Sequence, residues 1–321
     1  MAENFTGKIG HLEDIASPWA AAGGVAKTVA DTEALARTGV GWIEDGSQTL
    51  EGRPGNAINP RRPELGEQFT VYYHNKASGE TGNSLGMPGR PIDEWVRDIP
   101  EKVRIAHKAG KAFVQNIAPV SDNPLEESKE LIARSYEAGA DAVLLNAGCP
   151  NVRSSDGGRH ELLSRNALAL AKVLFGLKPL AEQYQPLFLR ISPQENYLQM
   201  SDICWAIRNS RSVSAVFVPN TWPDFVPLDE KNRPVPLGHH RGGGGLSGPA
   251  VAAQAAQQTE WAVEQLEGAG IDVVSSAGIM NVAELERRLK LGAAAAAGTT
   301  FYYESADWRA DTDKLLQELA E

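Results

Sequence analysis

Cysteine is almost missing from this chain: Cys149 and Cys204 are the only two among 321 residues. Two thiols cannot build a disulfide framework, a cysteine-rich zinc site or an iron-sulfur cluster, so any iron-sulfur chemistry has to come from a partner. No continuous apolar run is long enough to cross a bilayer, so no membrane insertion is expected. Met1 to Asp14 carries acidic residues and no apolar core, which argues against a secretory signal and for a cytoplasmic protein. Runs of basic residues are also lacking. With 31 Lys plus Arg against 41 Asp plus Glu, the net charge of -10 opposes attraction to phosphate backbones, and no nucleic-acid partner is expected. Neither a Walker phosphate loop nor a Gly-x-Gly-x-x-Gly turn occurs in its proper context.

What remains is an ordinary globular composition, 42% hydrophobic and 22% charged, so the order of elements has to decide the architecture. Short apolar segments alternate with helical ones, the pattern of parallel strands covered by helices. Strands are expected near Pro18 to Ala22, Gly41 to Ile43, Ala112 to Ile117, Ala142 to Asn146, Leu187 to Ile191, Ala215 to Pro219, Val273 to Ser276 and Ala293 to Gly298. Helices are expected over Thr32 to Arg37, Ile92 to Lys108, Leu125 to Glu137, Ala167 to Leu180, Tyr197 to Arg208, Ala250 to Leu266, Val282 to Leu291 and Asp307 to Ala320. Eight such units without a composition break predict an α/β fold, one (β/α)8 TIM barrel domain spanning residues 1–321, with a doubly wound sheet as the alternative. Two polar insertions, Glu51 to Gly89 and Thr221 to Gly248, fall on the strand-to-helix side, where barrel chemistry belongs.

Polar residues recur at the carboxyl ends of the predicted strands: Asn146, Cys149 and Asn151 after the fourth, Arg190 at the end of the fifth, Asn220 and Thr221 after the sixth. In a barrel these ends converge. The asparagines offer donors and acceptors to a flat heterocycle without charge. Cys149, between Gly148 and Pro150, can serve as a proton acceptor; taken alone, a buried inert thiol is the commoner case. An inward Arg190 needs an electron-rich partner, either a reduced flavin or an internal salt bridge. Gly242 to Gly245, Ser275 to Gly278 and Gly298 to Thr300 could aim backbone N–H groups at a phosphate. His74, His160, His239 and His240 carry less weight, and Trp19, Trp42 and Tyr73 read more as packing than as ligand contacts. The pair Glu44 and Asp45 is not a metal site by itself, and no metal is expected.

Taken together, these motifs resemble the dihydroorotate dehydrogenase family over nearly the whole chain. The resemblance rests on Ser17-Pro18-Trp19-Ala20-Ala21-Ala22-Gly23-Gly24, on Thr49-Leu50-Glu51 with Arg53, Gly55-Asn56 and Pro60-Arg61, on Asn83-Ser84-Leu85-Gly86-Met87-Pro88, and on Asn146 through Asn151. It implies bound FMN and oxidation of dihydroorotate to orotate, with Cys149 as the base while hydride moves to the flavin. Asn83, Asn146, Asn151 and Asn220 would recognise the substrate ring, with Thr221 beside them. Ala22, Gly23, Asn146 and Arg190 would meet the flavin, and Gly245, Ser276, Ala277, Gly278, Thr299 and Thr300 would surround its phosphate. It also implies the soluble, cysteine-base class, a homodimer, and fumarate or a separate electron-transfer subunit as acceptor.

The chain departs from the family pattern at three places. Gly46 stands where the family has a lysine that helps hold flavin and substrate, removing a charge that could support a substrate carboxylate. Arg190 replaces another lysine, exchanging a compact ammonium for a rigid fork, and Gly23 replaces a common serine. Two other expectations therefore accompany the first: a flavin oxidoreductase acting on a related uncharged cyclic amide or unsaturated compound, and a non-flavin barrel lyase or isomerase binding a phosphorylated ligand.

Overall fold

Period-two alternation along the short apolar segments decides which side chains enter the middle of the molecule. The computed structural model describes residues 5, 7–58, 68–151 and 161–321; Pro60, Arg61 and His160 lie outside the described residues. Twelve strands form among them: β1 (Trp19–Ala21), β2 (Trp42–Glu44), β3 (Tyr72–Asn75), β4 (Glu80–Asn83), β5 (Ala112–Ile117), β6 (Ala142–Asn146), β7 (Leu187–Arg190), β8 (Ala215–Val218), β9 (Trp222–Phe225), β10 (Gly244–Ser247), β11 (Asp272–Ser276) and β12 (Ala295–Gly298). Eight of these make one parallel sheet in the order β1-β12-β11-β8-β7-β6-β5-β2. Just before β2, the Gly41 N–H donates to the Trp19 carbonyl at 2.8 Å and draws the two ends of the sheet together. A side chain at position 41 would come within 2.0 Å of the Ser17 carbonyl oxygen, so glycine permits this closure. The result is the (β/α)8 barrel expected from the element order.

Ten helices accompany the strands among the described residues: α1 (Val29–Ala36), α2 (Ile92–Trp95), α3 (Ile99–Lys108), α4 (Pro124–Glu137), α5 (Ala167–Gln183), α6 (Tyr197–Ser210), α7 (Ala252–Leu266), α8 (Val282–Lys290), α9 (Thr300–Glu304) and α10 (Trp308–Ala320). Asparagine side chains cap α5, α6 and α8 by accepting from the exposed amides of their first turns. A capping box between Thr28 and Asp31 starts α1 three residues before the predicted Thr32. The predicted helix from Ile92 to Lys108 is broken into α2 and α3 by one tighter turn, Val96–Asp98.

Inside the barrel, Trp42, Val114, Leu144, Phe188, Phe217 and Val274 meet alanines from β1, β6, β8 and β12. Phe217 packs against Trp42 and Phe188 at ring separations of 6.3 and 5.8 Å, with the alanines leaving room for these rings. Each such side chain contributes about 1.5–3 kcal/mol on burial. Two positions further along the same strands, toward their carboxyl ends, the alternation brings Glu44, Asn116, Asn146, Arg190 and Ser276 to the inward face. A polar layer thus rests on an apolar plug.

The two long insertions do something that the sequence reading did not anticipate. β3 and β4 from the first pair with β10 and β9 from the second, giving a four-stranded antiparallel sheet in the order β3-β4-β10-β9. Segments such as Glu80–Asn83 and Gly244–Ser247 carry no apolar alternation. Each pairs on one side with a strand of its own insertion and on the other with a strand about 160 residues away, and that long-range pairing has no local signal.

Candidate active site

The polar layer is a connected hydrogen-bond chain. Arg190 on β7 forks onto Glu44 on β2, with Nη1 and Nη2 at 2.7 and 2.9 Å from the two carboxylate oxygens. Asn116 on β5 donates to the same carboxylate at 2.8 Å, and Ser47 donates to the Asn116 carbonyl oxygen at 2.9 Å. Asn146 on β6 donates to Ser47 at 2.9 Å and accepts from Asn220 at 3.1 Å. Glu44 is fully buried and Arg190 nearly so, and a pair this dry holds only because geometry and further hydrogen bonds compensate its desolvation. Arg190 therefore points inward, and its carboxylate partner is internal, as one of the two sequence-based alternatives had it.

This pairing accounts for a second departure. A Cβ at Gly23 would lie 2.6 Å from the Asn116 amide nitrogen, 2.8 Å from a Glu44 oxygen and 3.0 Å from an Arg190 nitrogen. The wide guanidinium fork occupies the space a serine would need. Arginine at 190 and glycine at 23 are one adjustment.

Above this layer lies a cavity of about 1330 Å³, the open space at its mouth included. Cys149, Asn83, Asn146, Asn151, Asn220 and Thr221 line it, and so do Ala22, Gly23, Arg190, Ser276, Ala277, Gly278, Thr299 and Thr300. Residues predicted from six strand ends and an insertion are thus brought together around one space. Asn151 donates its side-chain amide to Asn83 at 2.7 Å, while its side-chain oxygen Oδ1 is buried and has no partner among the described residues. An acceptor left open in this way is costly unless a ligand donor meets it.

Gly245 is the exception among the predicted cofactor residues, since it does not line the cavity. It pairs with Asn83 in the antiparallel sheet, and a side chain there would run into Thr221 at 2.1 Å and Pro150 at 3.2 Å. Its close approach to Thr221 and Pro150 places it in the antiparallel sheet on the asparagine side of the cavity. Trp19 packs outside the barrel against Phe301, and Trp42 fills its interior, so neither flanks a ligand. Tyr73 reaches the Leu228 carbonyl, and His74 pairs with Glu304 at 2.9 Å. His239 and His240 are half-buried, with His240 held by Ser84, and are not the solvated pair expected of a polar insertion.

The charge expected to be missing at Gly46 is present, supplied from elsewhere. Lys27, in the connection from β1 to α1, lines the cavity and donates to the Pro88 carbonyl at 2.6 Å and the Ser47 carbonyl at 3.3 Å. Its stem crosses the face of Gly46, where an added Cβ would lie 2.6 Å from Lys27 Cγ. The main chain at Lys27 is itself anchored, because the buried Lys102 ammonium donates both to its carbonyl and to Asp45. Burial holds the Lys27 ammonium below the ordinary lysine range, with Asp45 opposing the shift. Sequence reasoning missed this residue; its one signal was the empty position 46 on the neighbouring strand end.

Cys149 is half-buried beside these groups. Burial pushes its thiol up from the ordinary range, partly offset by the Asn151 backbone amide and by the positive charges of Arg53, Lys27 and Arg190. Cys204 is different: it lies on the core-facing side of α6, and burial alone pushes it up to about 12. No group of three or more metal-ligating side chains occurs among the described residues, and none of their helices is long and apolar enough to cross a membrane.

Comparison with known proteins agrees with this geometry. The dihydroorotate dehydrogenase family profile matches residues 8–321. A dihydroorotate dehydrogenase (quinone) of Neisseria meningitidis is 26% identical over 285 residues, 88% of this chain and 78% of that protein. One from Nitrosomonas eutropha is 29% identical over 290 residues, 87% of this chain and 76% of its own length. Among solved structures, the Eimeria tenella DHODH in complex with ferulenol superposes with a TM-score of 0.72 at 18% identity, covering 95% of this chain and 82% of that one, a likeness of fold. With the family profile running over nearly its whole length, this chain belongs to the dihydroorotate dehydrogenase family and is a flavin-dependent oxidoreductase.

Proposed function

We propose that the chain is a single FMN-binding barrel domain spanning residues 1–321 that oxidises dihydroorotate, or a close carboxylate-bearing relative, with Cys149 as the base. One observation carries this reading: a thiol, four asparagines and a lysine meet at one side of a cavity whose far corner is built of hydroxyls and amides.

The residues present fit a flavin mononucleotide. Gly23 lets the main chain lie flat over the Glu44 and Arg190 pair, leaving a floor on which a planar ring system can rest. The Ser276 hydroxyl is buried at the far corner with no hydrogen-bond partner among the described residues, beside Ala277, Gly278, Thr299 and Thr300, as a phosphate contact would require. When bound, FMN supplies the two-electron acceptor that no side chain offers.

The chain's own residues perform the rest. Asn83, Asn146, Asn151 and Asn220 orient a cyclic amide through paired donors and acceptors. Cys149, once deprotonated, takes a proton from the ring carbon adjacent to the one that gives up hydride. Lys27 has an ammonium with three N–H donors, two of them on backbone carbonyls, and the remaining one meets the substrate carboxylate. That cation favours an anionic substrate over the uncharged amides.

Freshly purified protein is expected to show an FMN spectrum that bleaches anaerobically with dihydroorotate. In Cys149→Ala the spectrum persists and the bleaching is lost. A colourless protein that gains no spectrum with FMN refutes the flavin reading and restores the lyase or isomerase alternative. The acceptor is tested in the same preparation, by reoxidation with fumarate against a soluble quinone.

A further inference from the structure

The hydroxyl and amide corner of the cavity is lined, among the described residues, by no lysine or arginine of its own. A phosphate dianion placed there would face dipoles alone. One layer behind, however, lies Arg288 on α8, a fully buried arginine. Its Nη1 donates to Ser275 Oγ at 3.0 Å and to the Ser276 carbonyl at 3.4 Å; its Nη2 donates to the Ala252 carbonyl at 2.8 Å and the Ala277 carbonyl at 3.2 Å. Nε is held by Glu284 at 2.7 Å. All five donors of the fork thus have an acceptor.

This geometry has a direct consequence for the amides. In a planar trans peptide the N–H points opposite to the carbonyl. Drawing the Ser276 and Ala277 carbonyls back toward Arg288 turns the Ala277 and Gly278 N–H groups the other way, toward the cavity. The turn needs positive φ at both, 63° and 78°, a left-handed conformation that is strained for an alanine. The unpartnered Ser276 hydroxyl sits in the same turn. Glu284 neutralises only the outer edge of the guanidinium, which stays protonated although burial pulls its pKa down.

We propose that Arg288 is the positioning residue of this corner: it orients consecutive amides and places a cation behind them, so that the corner selects a phosphate monoester dianion. The inference deepens the FMN reading and rests on it, naming the residue that makes the site prefer FMN to riboflavin, the same ring system without phosphate.

The test is a fluorescence titration of flavin-depleted full-length protein with FMN and with riboflavin, in the wild type, Arg288→Lys and Arg288→Gln. Arg288→Gln is expected to weaken FMN on the order of 10- to 100-fold, the range carried by charged hydrogen bonds, and to leave riboflavin unchanged. Arg288→Lys keeps the charge without the fork and is expected to fall between the two. If Arg288→Gln does not accumulate as folded protein, the lysine variant carries the comparison alone. Equal losses for both flavins mean a merely structural arginine and overturn the proposal, as does an unchanged FMN affinity. A wild type that binds riboflavin as tightly as FMN overturns it while leaving the flavin reading intact; a wild type that binds neither overturns both.

Discussion

Replacing Lys27 by methionine keeps most of the stem across Gly46 and deletes the ammonium. The lost contact is one charge-assisted hydrogen bond, because the other two N–H donors are already spent on Pro88 and Ser47. Such a bond is worth about 1.5–3 kcal/mol, so the dihydroorotate concentration for half-maximal flavin bleaching rises on the order of 10- to 100-fold. Dihydrouracil, the same ring without the carboxylate, should be unaffected, and the ratio of the two constants in anaerobic stopped flow is the readout. A companion variant tests the geometry. Gly46→Lys alone forces a Cβ to within 2.6 and 2.8 Å of Lys27 carbons, an overpacking that costs about 1–3 kcal/mol and lowers the melting temperature. In Lys27→Ala/Gly46→Lys those contacts vanish and selectivity for the carboxylate returns, but only in part, since the Ala26 carbonyl remains 2.8 Å from the new Cβ. Parallel losses for both substrates in Lys27→Met would show that the lysine supports the loop and not the ligand, and would refute its role in carboxylate binding.

Four further outcomes follow from the same contacts. The Cys149 pKa is raised and a base must be deprotonated, so the rate of flavin reduction should climb as pH increases through the thiol range, with no plateau near neutrality; a flat profile sinks the assignment. Because the Lys27 pKa is lowered, affinity for dihydroorotate should weaken at alkaline pH sooner than an ordinary lysine allows, while dihydrouracil affinity holds. Iodoacetamide mapping by mass spectrometry should find Cys149 modified and Cys204 spared, its thiol held up to about 12; equal labelling contradicts the core placement of Cys204. Lys102→Met strands the Asp45 carboxylate in a dry site where both partners are 1% exposed, a loss of about 3–5 kcal/mol measurable by urea unfolding.

Much of this molecule was legible because its signals are local. Every barrel strand lies within two residues of its expected ends, since three to six mostly apolar residues between glycines and helices have few other readings. The site residues at strand ends were legible for a related reason: a parallel barrel converts sequence position directly into place, so Asn146, Arg190 and Ser276 had to share one layer. What escaped was whatever depends on two distant segments at once. The antiparallel sheet needs Asn83 opposite Gly245, and neither segment declares itself alone. Lys27 was overlooked because its role is defined by the absent side chain at Gly46, and the Arg190 and Gly23 substitutions looked like separate losses until their atoms were seen to compete for one volume. Arg288 gave no sign either, being one basic residue in a charged helix, until burial singled it out.

The charges around the cavity bear on how an anion reaches it. The chain as a whole is strongly negative, which at long range repels both a substrate carboxylate and a phosphate. At physiological ionic strength that repulsion is screened beyond about 8 Å, so its effect is on encounter, not on the bound state. Within the site the balance reverses: Lys27, Arg53, Lys102 and Arg190 stand against Glu44 and Asp45, and Arg288 adds a cation behind the far corner. Two of those cations, Lys102 and Arg190, are committed to buried carboxylates, which leaves Lys27 and Arg53 on the Cys149 side of the cavity and Arg288 behind the far corner. Two ligands with their anionic groups at opposite ends fit this distribution: a flavin with its phosphate at the Arg288 corner, a substrate with its carboxylate under Lys27, and between them a floor where Glu44 has already neutralised Arg190.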